Sequence, residues 1–214
     1  MKILVINDSR DCGRSYKAPF LDLGDCVDED DDLWVGRDSD IGLVVFTGGA
    51  DVSPHIYYEE ANPKTYTSPR RDIIEARLFH NALKLKLPIV GICRGAQFIC
   101  AMSGGKLIQH VNGHHDYHEI RTVDGRCITV SSIHHQMQYP PKDAKFLAWA
   151  DPACSDVYEG GHEDLVPEME AEVVYYPRTN SLGLQYHPEI MSPKSEGFQY
   201  CQELTKDLLI GKLI

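Results

Sequence analysis

The sequence predicts an α/β fold: a mostly parallel sheet covered by helices. Two observations carry this. From Ile41 to Met102, short apolar runs alternate with helix-forming stretches as strand, helix, strand, helix, and that alternation calls for parallel strands joined by covering helices. After Gly105 the character changes, and two turns, Val123-Asp124-Gly125 and Pro177-Arg178-Thr179-Asn180, join neighbouring strand-like runs. These predict small antiparallel additions to the sheet.

Taken in order, Lys2 to Asn7 is β-branched and apolar, a first core strand. A weak helical pattern follows near Ser15 to Leu23, then an acidic run. Ile41 to Phe46 is a second strand, ending in Thr47-Gly48-Gly49. Ser68-Pro69 supplies an N-cap and a proline at the first helical position. Behind it, Ile74, Leu78, Ala82 and Leu85 recur at helical spacing, widened by Phe79 and Leu83. Leu87 to Val90 is a buried strand, and Ala96 to Met102 a helix closed by Ser103-Gly104-Gly105. Glu119–Thr122, Arg126–Val130, Phe146–Ala150, Glu172–Tyr176 and Ser181–Tyr186 are further short strands. A last amphipathic helix, capped by Ser195, carries Phe198, Cys201, Leu204 and Leu208.

The 214 residues, 43% of them hydrophobic, are expected to form a single domain, 1–214. No apolar run reaches the length of a membrane span. Seven cysteines without paired spacing suggest a reducing, cytoplasmic setting rather than a disulfide framework. A net charge of -11 argues against nucleic-acid binding. The acid concentrates at Asp22–Asp40 and Glu159–Glu172, which read as solvated loops. A sharper reading has them steer cationic substrates such as polyamine conjugates.

The chemistry centres on Gly91-Ile92-Cys93-Arg94-Gly95. A strand turning sharply into a helix between glycines is the elbow that exposes a nucleophile. The helix N-terminus favours a thiolate there. The competing reading is a buried core cysteine that lies between glycines by accident. A thiol nucleophile needs a base, and the base needs an orienting group. Gln185-Tyr186-His187-Pro188-Glu189 ends a predicted strand. On extended backbone His187 and Glu189 point to the same side and can hydrogen-bond.

With both motifs present, the chain resembles the class I glutamine amidotransferases and their Cys-His-Glu triad. Thr47-Gly48-Gly49-Ala50-Asp51-Val52-Ser53-Pro54 with Tyr57, Gly104 to Gln109, and Ser131-Ser132-Ile133-His134-His135-Gln136 are similar to the γ-glutamyl-γ-aminobutyrate hydrolase group, the peptidase C26 family. The likeness runs from Ile41 to about Met191.

The resemblance implies a flavodoxin-like three-layer sandwich with helices on both faces. It implies Cys93, His187 and Glu189 as catalytic residues, acting on a γ-glutamyl amide through a thioester. The oxyanion donors would be the N–H of Arg94 and the Gly48-Gly49 loop. Gln97, one turn beyond Cys93, would help hold the glutamyl group. Tyr57, His134, His135 and Gln136 would face substrate.

The partner expected is a small γ-glutamyl substrate or glutamine, with a separate synthetase chain or a second copy of this chain left open, and neither nucleic acid nor membrane. No cofactor and no metal are expected. A metal site at His134-His135 ranks below a substrate-facing loop, and His110, His114, His115 and His118 read as a polar surface loop near the active-site mouth, because no cysteine lies at ligand spacing. Two activities compete: stand-alone hydrolysis of a γ-glutamyl conjugate, and ammonia supply to a synthetase. A third reading is a non-catalytic γ-glutamyl-binding homologue, which the intact Cys93, His187 and Glu189 oppose. The region after the first strand is shorter and more acidic than the family pattern, so the pocket wall from that side is not carried over.

Overall fold

A computed structural model describes residues 1–7, 15–28 and 40–213. The acidic residues 29–39 lie outside the described residues. Among those described, thirteen strands and three α-helices are formed: β1 (Lys2–Ile6), β2 (Asp25–Asp28), β3 (Ile41–Phe46), α1 (Pro69–Lys84), β4 (Ile89–Ile92), α2 (Arg94–Met102), β5 (Lys106–Ile108), β6 (His110–Val111), β7 (His115–Thr122), β8 (Cys127–Ile133), β9 (Met137–Tyr139), β10 (Lys145–Ala150), β11 (Tyr158–Glu159), β12 (Ala171–Tyr176), β13 (Ser181–Leu184) and α3 (Glu196–Leu209). Nine strands make one sheet in the order β2-β1-β3-β4-β13-β12-β10-β7-β8. The neighbours from β2 through β13 are parallel. From β13 through β8 they are antiparallel. The hairpins read from Asp124-Gly125 and from Pro177–Asn180 both form, and they extend the parallel core on one side.

Strand alternation sends two sets of side chains to opposite faces, and each set has its own helical cover. Leu4, Ile6, Val44, Phe46 and Ile89 pack with Leu78, Phe79 and Ala82 of α1 and with Phe98, Ile99 and Cys100 of α2. Ile3, Val5, Leu43, Val45, Val90 and Ile92 pack with Phe198, Cys201, Leu204 and Leu208 of α3. Burying each large apolar side chain contributes about 1.5–3 kcal/mol, so both layers are needed. Among the described residues no helix is long and apolar enough to cross a membrane.

Three expectations need correction. Ser15–Leu23 is a set of turns around a short 3-10 helix, Ala18–Phe20, rather than an α-helix, because Pro19 interrupts the run. Ser68 precedes α1 but its side chain caps nothing. The buried face of α1 is also rotated from the apolar stripe. Asp72 and Glu75 are buried with Leu78, Phe79 and Ala82, while Ile74 and Leu85 are exposed. The reason lies in what faces α1, the guanidinium of Arg94.

Candidate active site

The parallel register brings the carboxyl ends of three strands level. Phe46 pairs with Gly91, and Leu184 with Ile92. The segments that follow these ends therefore meet at one edge of the sheet, the usual place for a site in an open α/β sheet. They are the Gly48-Gly49 loop, Cys93 and the His187 turn.

Cys93 has φ 52° and ψ -109°, far from the ordinary regions for an L-residue, and it directly precedes α2. Its N–H donates to Leu184 O at 2.7 Å and its carbonyl accepts from Gln97 N at 3.1 Å. The backbone is thus held from the strand side and the helix side at once, which is what keeps a strained residue in place. The turn is tight enough to need both glycines. A Cβ on Gly91 would stand 2.4 Å from the Gly95 carbonyl, and one on Gly95 would stand 2.1 Å from Phe46 O. Gly95→Ala is expected to push α2 off the sheet, costing about 1–3 kcal/mol and lowering activity further than stability. A thermal melt beside a kcat measurement reads both effects.

His187 and Glu189 pair through Nδ1 and Oε1 at 2.7 Å. They do so by a different route from the one expected. β13 stops at Leu184, and Pro188–Ile190 is a 3-10 turn, not extended backbone. Both side chains are buried. A carboxylate only accepts, so Nδ1 carries a proton toward Glu189 and Nε2 is the nitrogen left to exchange a proton with Cys93; Nε2 has no hydrogen-bond partner among the described residues. Burial acts to lower the proton affinity of His187, yet the charges of Cys93 and Glu189 outweigh it and raise it well above the ordinary histidine value. Glu189→Gln is accordingly expected to lower the His187 pKa, followed by NMR titration, and to cut kcat/KM about 10²-fold, less than removal of the ring.

The Gly48-Gly49 loop is set against this pair. A Cβ on Gly48 would meet the Tyr16 hydroxyl at 2.3 Å and His187 Cε1 at 3.4 Å. Arg71 donates to Thr47 O at 2.9 Å and to Gly48 O at 2.8 Å. In a trans peptide the N–H points opposite to the carbonyl, so Arg71 turns the Gly48 and Gly49 amides away from itself. Gly49 also has φ 137°, which an L side chain rarely adopts. The N–H of Arg94 opens α2 and has no acceptor inside the helix.

Arg94 itself is buried. Its guanidinium pairs with Glu75 and Asp72, and its Nε donates to Ala50 O at 3.1 Å. Asp72 also accepts from Ser53, and Glu75 from Arg71. One ionic cluster thus ties α1, the elbow and the loop after β3 together. Sequence reasoning missed Arg71, Asp72, Glu75 and Tyr16. Charged residues inside an otherwise apolar helical stripe were the only available signal.

The remaining candidates fall in several places. Gln97 is buried and donates to Gln136 O at 2.9 Å, joining α2 to the segment after β8. Gln136 donates to Thr65 Oγ1 at 3.1 Å. His135 is half-buried and pairs with Asp51 at 3.1 Å. Tyr57 is buried in the core beside α2, and its proton affinity is raised by burial and by nearby Asp51. His134 is buried and turned toward Glu172. The expected polar loop of histidines is not one. His114 is fully buried, His115 and His118 lie on β7, and the nominally solvated Glu170 and Glu172 are buried with His114.

A cysteine on a strained elbow, a carboxylate-held histidine and a glycine loop at the edge of a parallel sheet define a class I glutamine amidotransferase-like protein. Comparison with known proteins agrees. The Peptidase C26 profile matches residues 39–148, and the chain belongs to the Peptidase C26 family. It is similar to the YvdE protein of Lactococcus lactis, named as glutamine amidotransferase-like, with 29% identity over 163 residues, 70% of this chain and 66% of that one. It is also similar to the γ-glutamyl-γ-aminobutyrate hydrolase of Escherichia coli O157:H7, with 25% identity over 69% of this chain and 63% of that one. The chain thus spans under two thirds of each of these relatives. Among solved structures, a glutamine amidotransferase from Thermotoga maritima shares the fold with a TM-score of 0.61 and 18% identity, over 100% of this chain and 86% of that one.

Proposed function

We propose that this chain hydrolyses γ-glutamyl amide bonds through a cysteinyl thioester. The observation that carries the reading is Cys93 on a strained elbow beside the buried His187–Glu189 pair. Cys93 Sγ attacks the γ-carbonyl carbon as its proton passes to His187. The tetrahedral oxyanion accepts hydrogen bonds from the N–H of Arg94 and from the Gly48-Gly49 loop, which Arg71 orients. The C–N bond breaks, His187 protonates the departing amine, and the glutamyl group stays on Cys93. His187 then takes a proton from water, which attacks the thioester and releases glutamate. Gln97, His135 and Gln136 form the wall that receives the glutamyl group, with His134 and Tyr57 beneath it.

The test is glutamate release by the purified protein alone from a panel of γ-glutamyl amines and glutamine, with Cys93→Ala as the blank. Turnover of one conjugate well above glutamine supports stand-alone hydrolysis. A second reading has the chain supply ammonia to a synthetase. It is favoured by the fold shared with a Thermoplasma acidophilum protein described as part of a GMP synthase, with a TM-score of 0.60 at 18% identity over 98% of this chain and 92% of that one. Poor turnover of the whole panel, with a thiol that alkylates rapidly, would favour that reading.

A further inference from the structure

Behind the wall that receives the glutamyl group, and taking no part in the bond-making steps above, lies a buried group of histidines and glutamates. His114, His134, Glu170 and Glu172 are almost wholly out of solvent. They arrive from separate segments: the turn before β7, the end of β8 and the start of β12. The backbone carbonyl of Glu172 accepts from the N–H of Gln185, two residues before His187.

The proton positions leave a gap in this group. His134 Nδ1 lies 2.9 Å from Gln136 O. A carbonyl can only accept, so the proton is on Nδ1 and Nε2 presents a lone pair. That Nε2 has no hydrogen-bond partner among the described residues and faces Glu172 Oε1 at 3.8 Å. His114 places Nε2 3.3 Å from Glu170 Oε2 and Nδ1 3.5 Å from Glu172 Oε1. With its proton toward Glu170, its Nδ1 lone pair also faces Glu172. Glu172 Oε2 is buried without a partner among the described residues.

Two bare ring nitrogens and a carboxylate facing one another out of water are costly unless a cation sits between them. A shared proton draws nitrogen and oxygen to about 2.7–2.9 Å. The separations of 3.5 and 3.8 Å are longer. Two ligands on one tetrahedral zinc, each about 2.0–2.1 Å from the metal, stand about 3.3–3.4 Å apart. The outer contacts also match a metal site, in which each ligating histidine gives its other N–H to a carboxylate or a carbonyl. Gln136 O plays that part for His134, and Glu170 Oε2 stands 3.3 Å from His114 Nε2, which makes no hydrogen bond among the described residues. His118 Nε2 holds Glu172 Oε1 from the side at 3.0 Å.

We propose that His114 Nδ1, His134 Nε2 and the Glu172 carboxylate bind a divalent metal ion of the zinc class. Imidazole and carboxylate donors suit that class. The ion joins the end of the β7–β8 hairpin to β12 and fixes His134, from which the chain continues to the Gln136 carbonyl that holds Gln97. It is a structural site supporting one wall of the catalytic edge.

The experiment uses the full chain carrying Cys93→Ala, which removes a thiol that could itself hold zinc with His187. Protein produced with zinc and dialysed against metal-free buffer is expected to keep about one zinc per chain by elemental analysis. Chelator-stripped protein reloaded with cobalt should show the visible d–d absorption of a low-coordinate site. His134→Gln and Glu172→Gln should each remove metal and absorption, while His110→Gln, outside the ligand set, keeps both. The proposal is overturned if the Cys93→Ala protein holds under about a tenth of an ion per chain, gives no cobalt band and melts unchanged with added zinc. It is equally overturned if zinc persists in the His134→Gln and Glu172→Gln chains. The measurements on the Cys93→Ala chain decide the matter even where those two variants fold poorly.

Discussion

Cys93→Ala is expected to lower γ-glutamyl amide turnover by on the order of 10⁴-fold or more, with the fold intact. Among the described residues the thiol is the only group placed both on the elbow and against His187, so its loss removes the bond-forming atom rather than tuning it. Alanine fits the site, since it is smaller than cysteine and keeps the backbone contacts with Leu184 and Gln97. His187→Ala should cost a similar factor, because the same ring takes the thiol proton and later activates water. The double variant should be scarcely worse than either single one, as residues acting as a unit are not additive. Steady-state kinetics on the best conjugate read all three. Additive losses would mean that Cys93 and His187 do not work together.

Arg94→Met is expected to be the most damaging change to stability. It leaves Asp72 and Glu75 buried without their principal cation, and breaking a buried ion pair from one side costs about 3–5 kcal/mol. At about 2–4 °C per kcal/mol for a chain of this size, the melting midpoint should fall by roughly 10 °C or more. Activity should fall as well, because Arg94 also holds the Ala50 carbonyl of the loop carrying Gly48 and Gly49. Combining Arg94→Met with Asp72→Asn and Glu75→Gln should recover part of the midpoint, since the stranded charges go with the arginine. A calorimetric scan of the three proteins decides this. No loss in Arg94→Met would show that the cluster is not what fixes the elbow.

The elbow was legible in the sequence because both glycines flank Cys93, Gly91 pressed against Gly95 itself and Gly95 against Phe46 O of β3, contacts only a missing side chain allows. The His187–Glu189 pair was legible from a spacing of two, although Pro188 bends the backbone into a turn and the expected strand geometry was not what joined them. The face of α1 was misjudged. Helical periodicity ranks Ile74 and Leu85 above Asp72 and Glu75, yet the acids go inward because a guanidinium from another element waits there. The histidine cluster was hidden for a related reason. His118 meets Glu172 across 54 residues of sequence, and no local spacing rule covers ligands brought together by sheet pairing. Histidines near polar residues therefore looked like a loop. Both misses concern charge buried against distant charge, which a local pattern of apolar residues does not register.

The nucleophilic role of Cys93 is tested most directly by active-site labelling with an electrophilic glutamine mimic, a ketone carrying a leaving group at the position of the γ-carbonyl. Peptide mass spectrometry locates the label. One label per chain is expected, on Cys93, slowed by a saturating γ-glutamyl amide, slower still in His187→Ala and absent in Cys93→Ala. Labelling spread at comparable rates over Cys93, the exposed Cys127 and the half-buried Cys154, with no protection by the amide, would contradict it.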